Sequence, residues 1–272
     1  MAKVKAFFTR CGRIVRWAYR LALLLLIADL VYLATIWPDW KPYISGPVPK
    51  SRFIQVYEET RGENKSWPEL RWQPVPITSL PPAMLRAAIV AEDSRFYQHG
   101  GFDIAAIREA FDYNLEKGRL ARGASTISQQ TAKNLFLTPS RNPIRKWHET
   151  VLTWGLEQNL RKQRILEIYL NSAEFGRGIY GVQAAAQVYW SIPAAQLSVT
   201  QTAELAASLP SPLKNNPTQR TPFFVKRSQR IFNLLTRDFS VPEEANSQDT
   251  PDQVGDFSTD RRGMVIMPDP PS

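Results

Sequence analysis

The sequence predicts a mainly α-helical globular body carried on one N-terminal transmembrane helix. Three observations lead there. Residues 17–37, WAYRLALLLLIADLVYLATIW, form an apolar run long enough to cross a hydrocarbon core of about 30 Å. Glycine is scarce, 13 of 272 residues against 21 prolines, whereas strand-rich folds with many tight turns need more of it. Beyond residue 81, helix-opening signals succeed one another at the heads of helically spaced apolar stretches.

Taken in order, residues 1–16 are a basic leader to the span. Lys3, Lys5, Arg10, Arg13, Arg16 and Arg20 precede the bulk of it, and Trp17, Tyr19 and Trp37 flank it as interfacial aromatics do. The positive-inside rule then keeps the N-terminus cytoplasmic and exports the chain beyond Trp37. A cleaved signal peptide is the rival, but the apolar run is long for one, and WPDW stands where small residues would be wanted. Asp29 inside the span is either a tolerated single carboxyl or a polar contact to a partner helix. Residues 38–71 open a proline-rich connector, with one short strand expected at Phe53–Tyr57. The main domain is placed at 72–240. Pro81–Pro82 opens a helix through Ala91. Asp103 caps another, apolar at Ile104, Ile107, Ala110 and Phe111 and stopped by Gly118. Ser125 opens a third. Asn142–Pro143 opens a fourth, with Ile144, Trp147, Val151 and Trp154 at helical spacing. Helix continues from Ile165 to Leu170, Ser198 and Gln201 form a capping box, and Thr221–Pro222 opens a last helix to about Arg237. The tail 241–272 is polar, acidic and read as disordered.

Composition removes several chemistries. The single cysteine, Cys11, rules out a disulfide within the chain and a cysteine-based zinc site. With two histidines, His99 and His148, and no HExxH, a histidine-rich metal hydrolase is not expected. The net charge is +9, and the segment 39–240 holds 26 cations and 17 anions. Such a body suits nucleic acid, anionic lipid head groups or a phosphorylated substrate, and equally serves solubility. Export across a membrane removes nucleic acid from these.

Four stretches are candidates for chemistry. In AEDSRFYQHGGFD, Ala91 to Asp103, two carboxylates end an apolar helix; desolvation there would raise a pKa and make a base usable near neutral pH, though a solvated helix end is the plainer reading. In RGASTISQQTAKN, Arg122 to Asn134, Gly123 frees the backbone where Ser125 and Thr126 begin a helix, as in an anion site or an ordinary cap, with Lys133 two turns on. In RNPIRKWHE, Arg141, Arg145 and Lys146 cluster, and Glu149 comes after Arg145 at i+4. That spacing gives a surface salt bridge, or a cationic wall for phosphate whose Glu149 helps hold a divalent cation. RILEIYLNSAEFGRGIYG, Arg164 to Gly181, suggests a cleft floor.

These stretches, as EDxxFxxHxG at Glu92–Gly101, GxSTIxQQxxKN at Gly123–Asn134, RKxxE at Arg145–Glu149 and RILExYLNxxEFGxGIYG at Arg164–Gly181, together resemble the peptidoglycan glycosyltransferases, glycosyltransferase family 51. The similarity runs from about Trp72 to Pro217, and the length and single anchor resemble the family's monofunctional members. The resemblance implies a helical, lysozyme-like domain with a second, partly membrane-immersed lobe, in a bacterial inner membrane. It implies polymerisation of lipid II into β-1,4 glycan strands with release of undecaprenyl diphosphate, in one inverting displacement. Glu92 matches the family's base. Glu149 matches the second glutamate, associated with the diphosphate and a divalent ion, Mg²⁺ or Mn²⁺. Lys133, Arg141 and Arg145 match cations on the leaving group, where Lys146 would join them. Ser125, Gln129, Gln130 and Asn134, with Thr126 at the helix start, match positions shaping the cleft. Asp93, Phe96 and His99 look supportive. Implied partners are lipid II, the growing strand and the membrane, with cell-division or elongation proteins and bifunctional synthases as further candidates.

Two departures stand out: Gly123–Ala124 where a glycine pair is common, and His148 where some relatives have lysine. No KTG occurs downstream, so no transpeptidase activity is expected. A glycan hydrolase would need a general acid for a sugar leaving group, and the RNPIRK wall suits a diphosphate instead. A membrane adaptor is the other alternative, permitted by the anchor, Asp29 and the tail.

Overall fold

The computed structural model describes residues 2–119, 123–140 and 142–237, with side chains from Gly12 onward. The acidic tail and Arg141 lie outside them.

Helix α1, Ala2–Ile36, is continuous through the basic leader and the apolar run. Its stretch Gly12–Ile36 has a mean hydropathy of 1.9 and is almost entirely unburied, so it is long and apolar enough to cross a membrane. A short turn of helix, α2 (Lys41–Ile44), leads to α3 (Arg52–Glu63). The strand expected at Phe53–Tyr57 is therefore helix. The reason is readable: no proline falls between Pro49 and Pro68, Ser51 accepts a hydrogen bond from the Ile54 amide as an N-cap, and Ile54 and Tyr57 are the buried residues, at helical spacing.

The body continues as α4 (Pro82–Glu92), α5 (Ile104–Lys117), α6 (Ile127–Phe136), α7 (Pro143–Asn159) and α8 (Lys162–Ser172). After these come α9 (Val182–Trp190), α10 (Val199–Ser208) and α11 (Pro222–Arg237). Asp103, Asn142 and Ser198 cap as the sequence predicts, and Gly118 ends α5 in the left-handed conformation. The third helix is opened by Thr126 rather than Ser125. Thr126 and Gln129 close a reciprocal capping box, and only Thr126 has Gln three residues on.

Helix α6 is the hub. It packs against α3, α7 and α8, while α4 packs on α10 and α11. Leu152 and Leu156 of α7 meet Ile165 and Leu166 of α8 in the main core, all fully buried, each contributing about 1.5–3 kcal/mol of transfer free energy. Ala203, Ala206 and Ala207 of α10 sit with Phe224, Ile231 and Leu235 of α11 in a second cluster. β1 (Arg71–Trp72), in the connector before α4, joins β2 (Glu174–Gly176) and β3 (Ile179–Tyr180), which follow α8, in a small sheet of order β1-β3-β2, with β1 parallel and β2 antiparallel to β3. Gly181, at φ +82°, passes so near the Asn171 carbonyl that a Cβ would lie 2.8 Å from its oxygen. The apolar stripe of α5 does not enter either core: Ile104, Ile107 and Phe111 are exposed, as is Leu115, and Ala110 alone of that stripe is buried.

Candidate active site

Glu92 is the last residue of α4, whose Met84, Ala87 and Ala88 are buried. Its side chain is only 10% exposed. Oε2 accepts a hydrogen bond from Gln130 Nε2 on α6 at 2.8 Å, and Oε1 accepts one from Arg227 Nη2 on α11 at 2.7 Å. Arg227 also donates to the Ala91 carbonyl at 3.0 Å, which fixes the guanidinium across the end of α4. Burial holds the Glu92 carboxyl above the ordinary carboxylate range, outweighing the lowering effects of Gln130, Arg227 and Lys133. A carboxylate with raised proton affinity at a water-poor position is what a general base needs near neutral pH.

Gln130 is itself oriented. The fully buried Tyr169 of α8 donates its hydroxyl to Gln130 Oε1 at 3.4 Å, leaving the amide nitrogen to face Glu92. Burial pushes the Tyr169 phenol well above its usual value, so it acts as a donor. Neither Tyr169 nor Arg227 stood out in the sequence. Tyr169 lies inside the RILEIYLN stretch and reads as core, and Arg227 is one cation among several on an amphipathic helix.

Three residues further along α6, about 4.5 Å of rise, stands Lys133. Burial lowers the proton affinity of its ammonium, with Arg145 and Lys146 acting in the same sense and Glu149 and Glu92 opposing them. Lys133 thus feels both glutamates, and α6 joins them into one cleft. On α7, buried Glu149 pairs with Lys146 through Oε1, and its Oε2 lies 3.6 Å from Arg145 Nη1. Lys146 Nζ also donates to Ser125 Oγ at 3.5 Å. Arg145 Nε and Nη1 are buried without a hydrogen-bond partner, and Lys133 makes no ion pair among the described residues. Buried cationic donors without acceptors are costly unless an anion completes them, so this end of the cleft fits a bound anion. It does not fit a resident divalent cation: Lys146 and Arg145 already occupy both sides of the Glu149 carboxylate, and the surroundings are cationic.

The remaining expected site residues divide. Ser125 faces Lys146 in the cleft. Thr126 and Gln129 are spent on the helix: Thr126 Oγ1 donates to the Gly101 carbonyl at 2.7 Å and accepts from the Gln129 amide, while Gln129 Oε1 accepts from the Thr126 amide. Asn134 is buried in α6. Arg141 lies outside the described residues.

Supportive roles fall where the first two motifs meet. Asp93 accepts from the Ile127 amide at 3.0 Å and from His99 Nε2 at 2.9 Å, and His99 Nδ1 accepts from the Gly101 amide at 3.2 Å. The end of α4 and the start of α6 are thereby stapled together, which sets Glu92 against Gln130. Asp93, His99 and Asp103 lie close enough to hold a metal ion. Their oxygens are already taken by backbone amides, His99 and Arg95. Asn171 accepts from the Val75 amide and donates to its carbonyl, and Glu167 accepts from the Ile77 amide. The RILExYLN stretch is thus scaffold for the connector as well as support for Gln130. Glu174, on β2, is pushed up to about 7 by burial but is not among the groups that touch Glu92 or Glu149.

Residues 61–236 match the Transglycosylase family model. A biosynthetic peptidoglycan transglycosylase of Nitrosospira multiformis is 41% identical over 220 residues, 81% of this chain and 96% of the relative. The protein of that name in Caulobacter vibrioides is 42% identical over 220 residues, 81% of this chain and 92% of the relative. That of Nitrosomonas eutropha is 39% identical over 230 residues, 82% and 92% of the two chains. The matched residues 61–236 include Glu92, Lys133, Glu149 and Arg227, and the chain belongs to the transglycosylase family.

Proposed function

We propose that this protein is a peptidoglycan glycosyltransferase that polymerises lipid II into β-1,4 glycan strands. The observation that carries the reading is the pairing, along one helix, of a desolvated carboxylate with a cationic site short of acceptors. The 4-hydroxyl of the acceptor sugar gives its proton to Glu92 as its oxygen attacks the anomeric carbon of the donor strand. The new C1–O bond forms on the face opposite the diphosphate, the old C1–O bond to phosphate breaks, and the α-linked donor becomes a β-linked product. Lys133, Arg145 and Lys146 take up the negative charge that develops on undecaprenyl diphosphate. Donors placed in advance where charge develops supply much of the catalysis in such sites. Glu149 keeps Arg145 and Lys146 in register and limits the repulsion among three cations.

The membrane helix places this cleft beside its lipid-linked substrate. Six basic residues at or before the start of the apolar run orient the N-terminus to the cytoplasm and the catalytic body outside it. The exposed apolar residues of α5, and Ile144, Trp147 and Trp154 of α7, suit a face in contact with acyl chains.

The test is full-length protein in detergent with labelled lipid II, beside Glu92→Gln. Wild type is expected to give lysozyme-sensitive polymer, and the variant to lose activity by about 10²–10⁴-fold, the range of a general base. Polymer from the variant at the wild-type rate would remove Glu92 from the role.

A further inference from the structure

Asp29 is the only acidic residue in the apolar helix Gly12–Ile36, and it is not left facing lipid. Its Oδ1 lies 2.6 Å from His148 Nε2, and its Oδ2 accepts from Trp147 Nε1 at 3.0 Å. Both partners are on α7, immediately before Glu149. His148 is buried, and its ring packs at 5.0 Å from that of Tyr32, one turn along α1. Two turns beyond Asp29, Trp37 and Trp40 close on Gly155 of α7, where a Cβ would lie 2.7 Å from either ring. Residues 29 and 37 thus meet residues 148 and 155 of α7, and the end of α1 and α7 run side by side in the same direction for about 12 Å.

Three physical consequences arise. A carboxylate in an apolar span is costly, about 2.5–3.5 kcal/mol at a helix centre on insertion scales, and a partner on the protein offsets that cost. No water is available there to replace the hydrogen bonds once broken. Finally, positions 147 and 148 fix the rotation of α7, so that Arg145 and Glu149, four residues apart on one face, look into the cleft.

We propose that Asp29 is a positioning residue for glycosyl transfer: a membrane-borne carboxylate that clamps Trp147 and His148, and so sets the rotation and depth at which α7 presents Arg145, Lys146 and Glu149 to the diphosphate. This rests on the functional reading above. The anchor is then part of the catalytic architecture rather than a tether.

The test uses full-length protein in liposomes, comparing wild type, Asp29→Asn, Asp29→Leu and the double variant Asp29→Leu/His148→Leu. Flotation verifies insertion, lipid II kinetics give kcat and KM, and hydrogen exchange is read over residues 143–150. In Asp29→Leu, kcat is expected to fall by up to about 10²-fold, the scale of a 1 Å misplacement of reacting groups. KM should change less than twofold, because lipid and sugar contacts remain, and exchange in the first turns of α7 should rise. Asp29→Asn keeps an acceptor for Trp147 and should recover most of kcat. The double variant should be no worse than Asp29→Leu, as for two residues acting as one unit. A wild-type kcat in an inserted Asp29→Leu overturns the proposal, as does a purely additive double variant or a loss confined to KM. If wild type makes no polymer, the functional reading fails separately, and unchanged α7 exchange in Asp29→Leu then overturns the clamp by itself.

Discussion

The two ends of the α6 cleft are built on opposite terms. At the Glu92 end both carboxylate oxygens have fixed donors, Gln130 and Arg227, and Gln130 is held in turn by Tyr169. At the other end, donors outnumber acceptors: Lys133, Arg145 and Lys146 surround one carboxylate, and Arg145 Nε and Nη1 have no hydrogen-bond partner. At the first end the carboxylate is fully paired in the free protein, although Arg227 Nε has no partner, and its work is to move one proton. The second is incomplete until an anion arrives, and its work is to hold charge. Preorganisation therefore takes two forms in one site: geometry fixed by satisfied bonds, and potential kept high by unsatisfied ones.

The sharpest way to break the contrast is to remove charge from each end in turn. Glu92→Gln keeps the shape and an acceptor oxygen but abolishes the base. It should have the largest effect, about 10²–10⁴-fold in kcat, at every pH, with lipid II binding nearly intact in a direct binding measurement. Lys133→Ala should cost about 10²–10³-fold, the scale for losing one donor to a developing oxyanion. It should also weaken binding of a diphosphate-bearing lipid. If Lys133→Ala lowered polymerisation without weakening that binding, the second end would be serving the base rather than the leaving group.

Arg227→Gln tests how the first end is tuned. Arg227 lowers the proton affinity of Glu92, although burial keeps the net shift upward. Its removal should raise that affinity further, so the acidic limb of the kcat/KM profile should move to higher pH. Activity should fall on the acidic side of that limb and largely recover at higher pH, where the carboxylate is again deprotonated. A loss independent of pH would mean that Arg227 acts by binding substrate.

These residues also mark how far the sequence could be read. The helical fold, the long apolar N-terminal helix and most caps are legible because they rest on local signals: an apolar run, Pro at a helix start, Ser, Asp or Asn at N-caps. Glu92, Lys133, Arg145 and Glu149 were legible as a set through the motifs that contain them. Helix α3 is not legible from its apolar residues alone, because short apolar stretches suit strand or helix alike; the Ser51 cap and the helical spacing of Ile54 and Tyr57 decide. Arg227 lies 135 residues from Glu92, and Asp29 lies 119 from His148. No local pattern links such pairs, and only the folded chain brings them together. The use of Thr126 and Gln129 in a capping box shows the converse: residues that look like ligands can be consumed by the backbone they cap.

The smallest change sharpens the comparison most finely. Tyr169→Phe removes one hydroxyl from the middle of the core and leaves the ring in place. Its hydrogen bond to Gln130 is long, 3.4 Å, so its loss should cost about 0.5–1.5 kcal/mol at most. The amide of Gln130 would then lose the partner that fixes which of its atoms faces Glu92. A turned amide would present oxygen to a carboxylate, an unfavourable contact that either weakens the base's support or raises its proton affinity. Because Gln130 lowers the Glu92 pKa in the intact protein, the expected result is a two- to fivefold loss of kcat/KM on the acidic side of the profile, about 0.4–1 kcal/mol, with little change above neutrality. Binding of the diphosphate lipid should be untouched, since Lys133 and Arg145 sit at the other end of the cleft. An equal loss at all pH values, or weaker lipid binding, would show that the two ends are coupled through α6 rather than independently built.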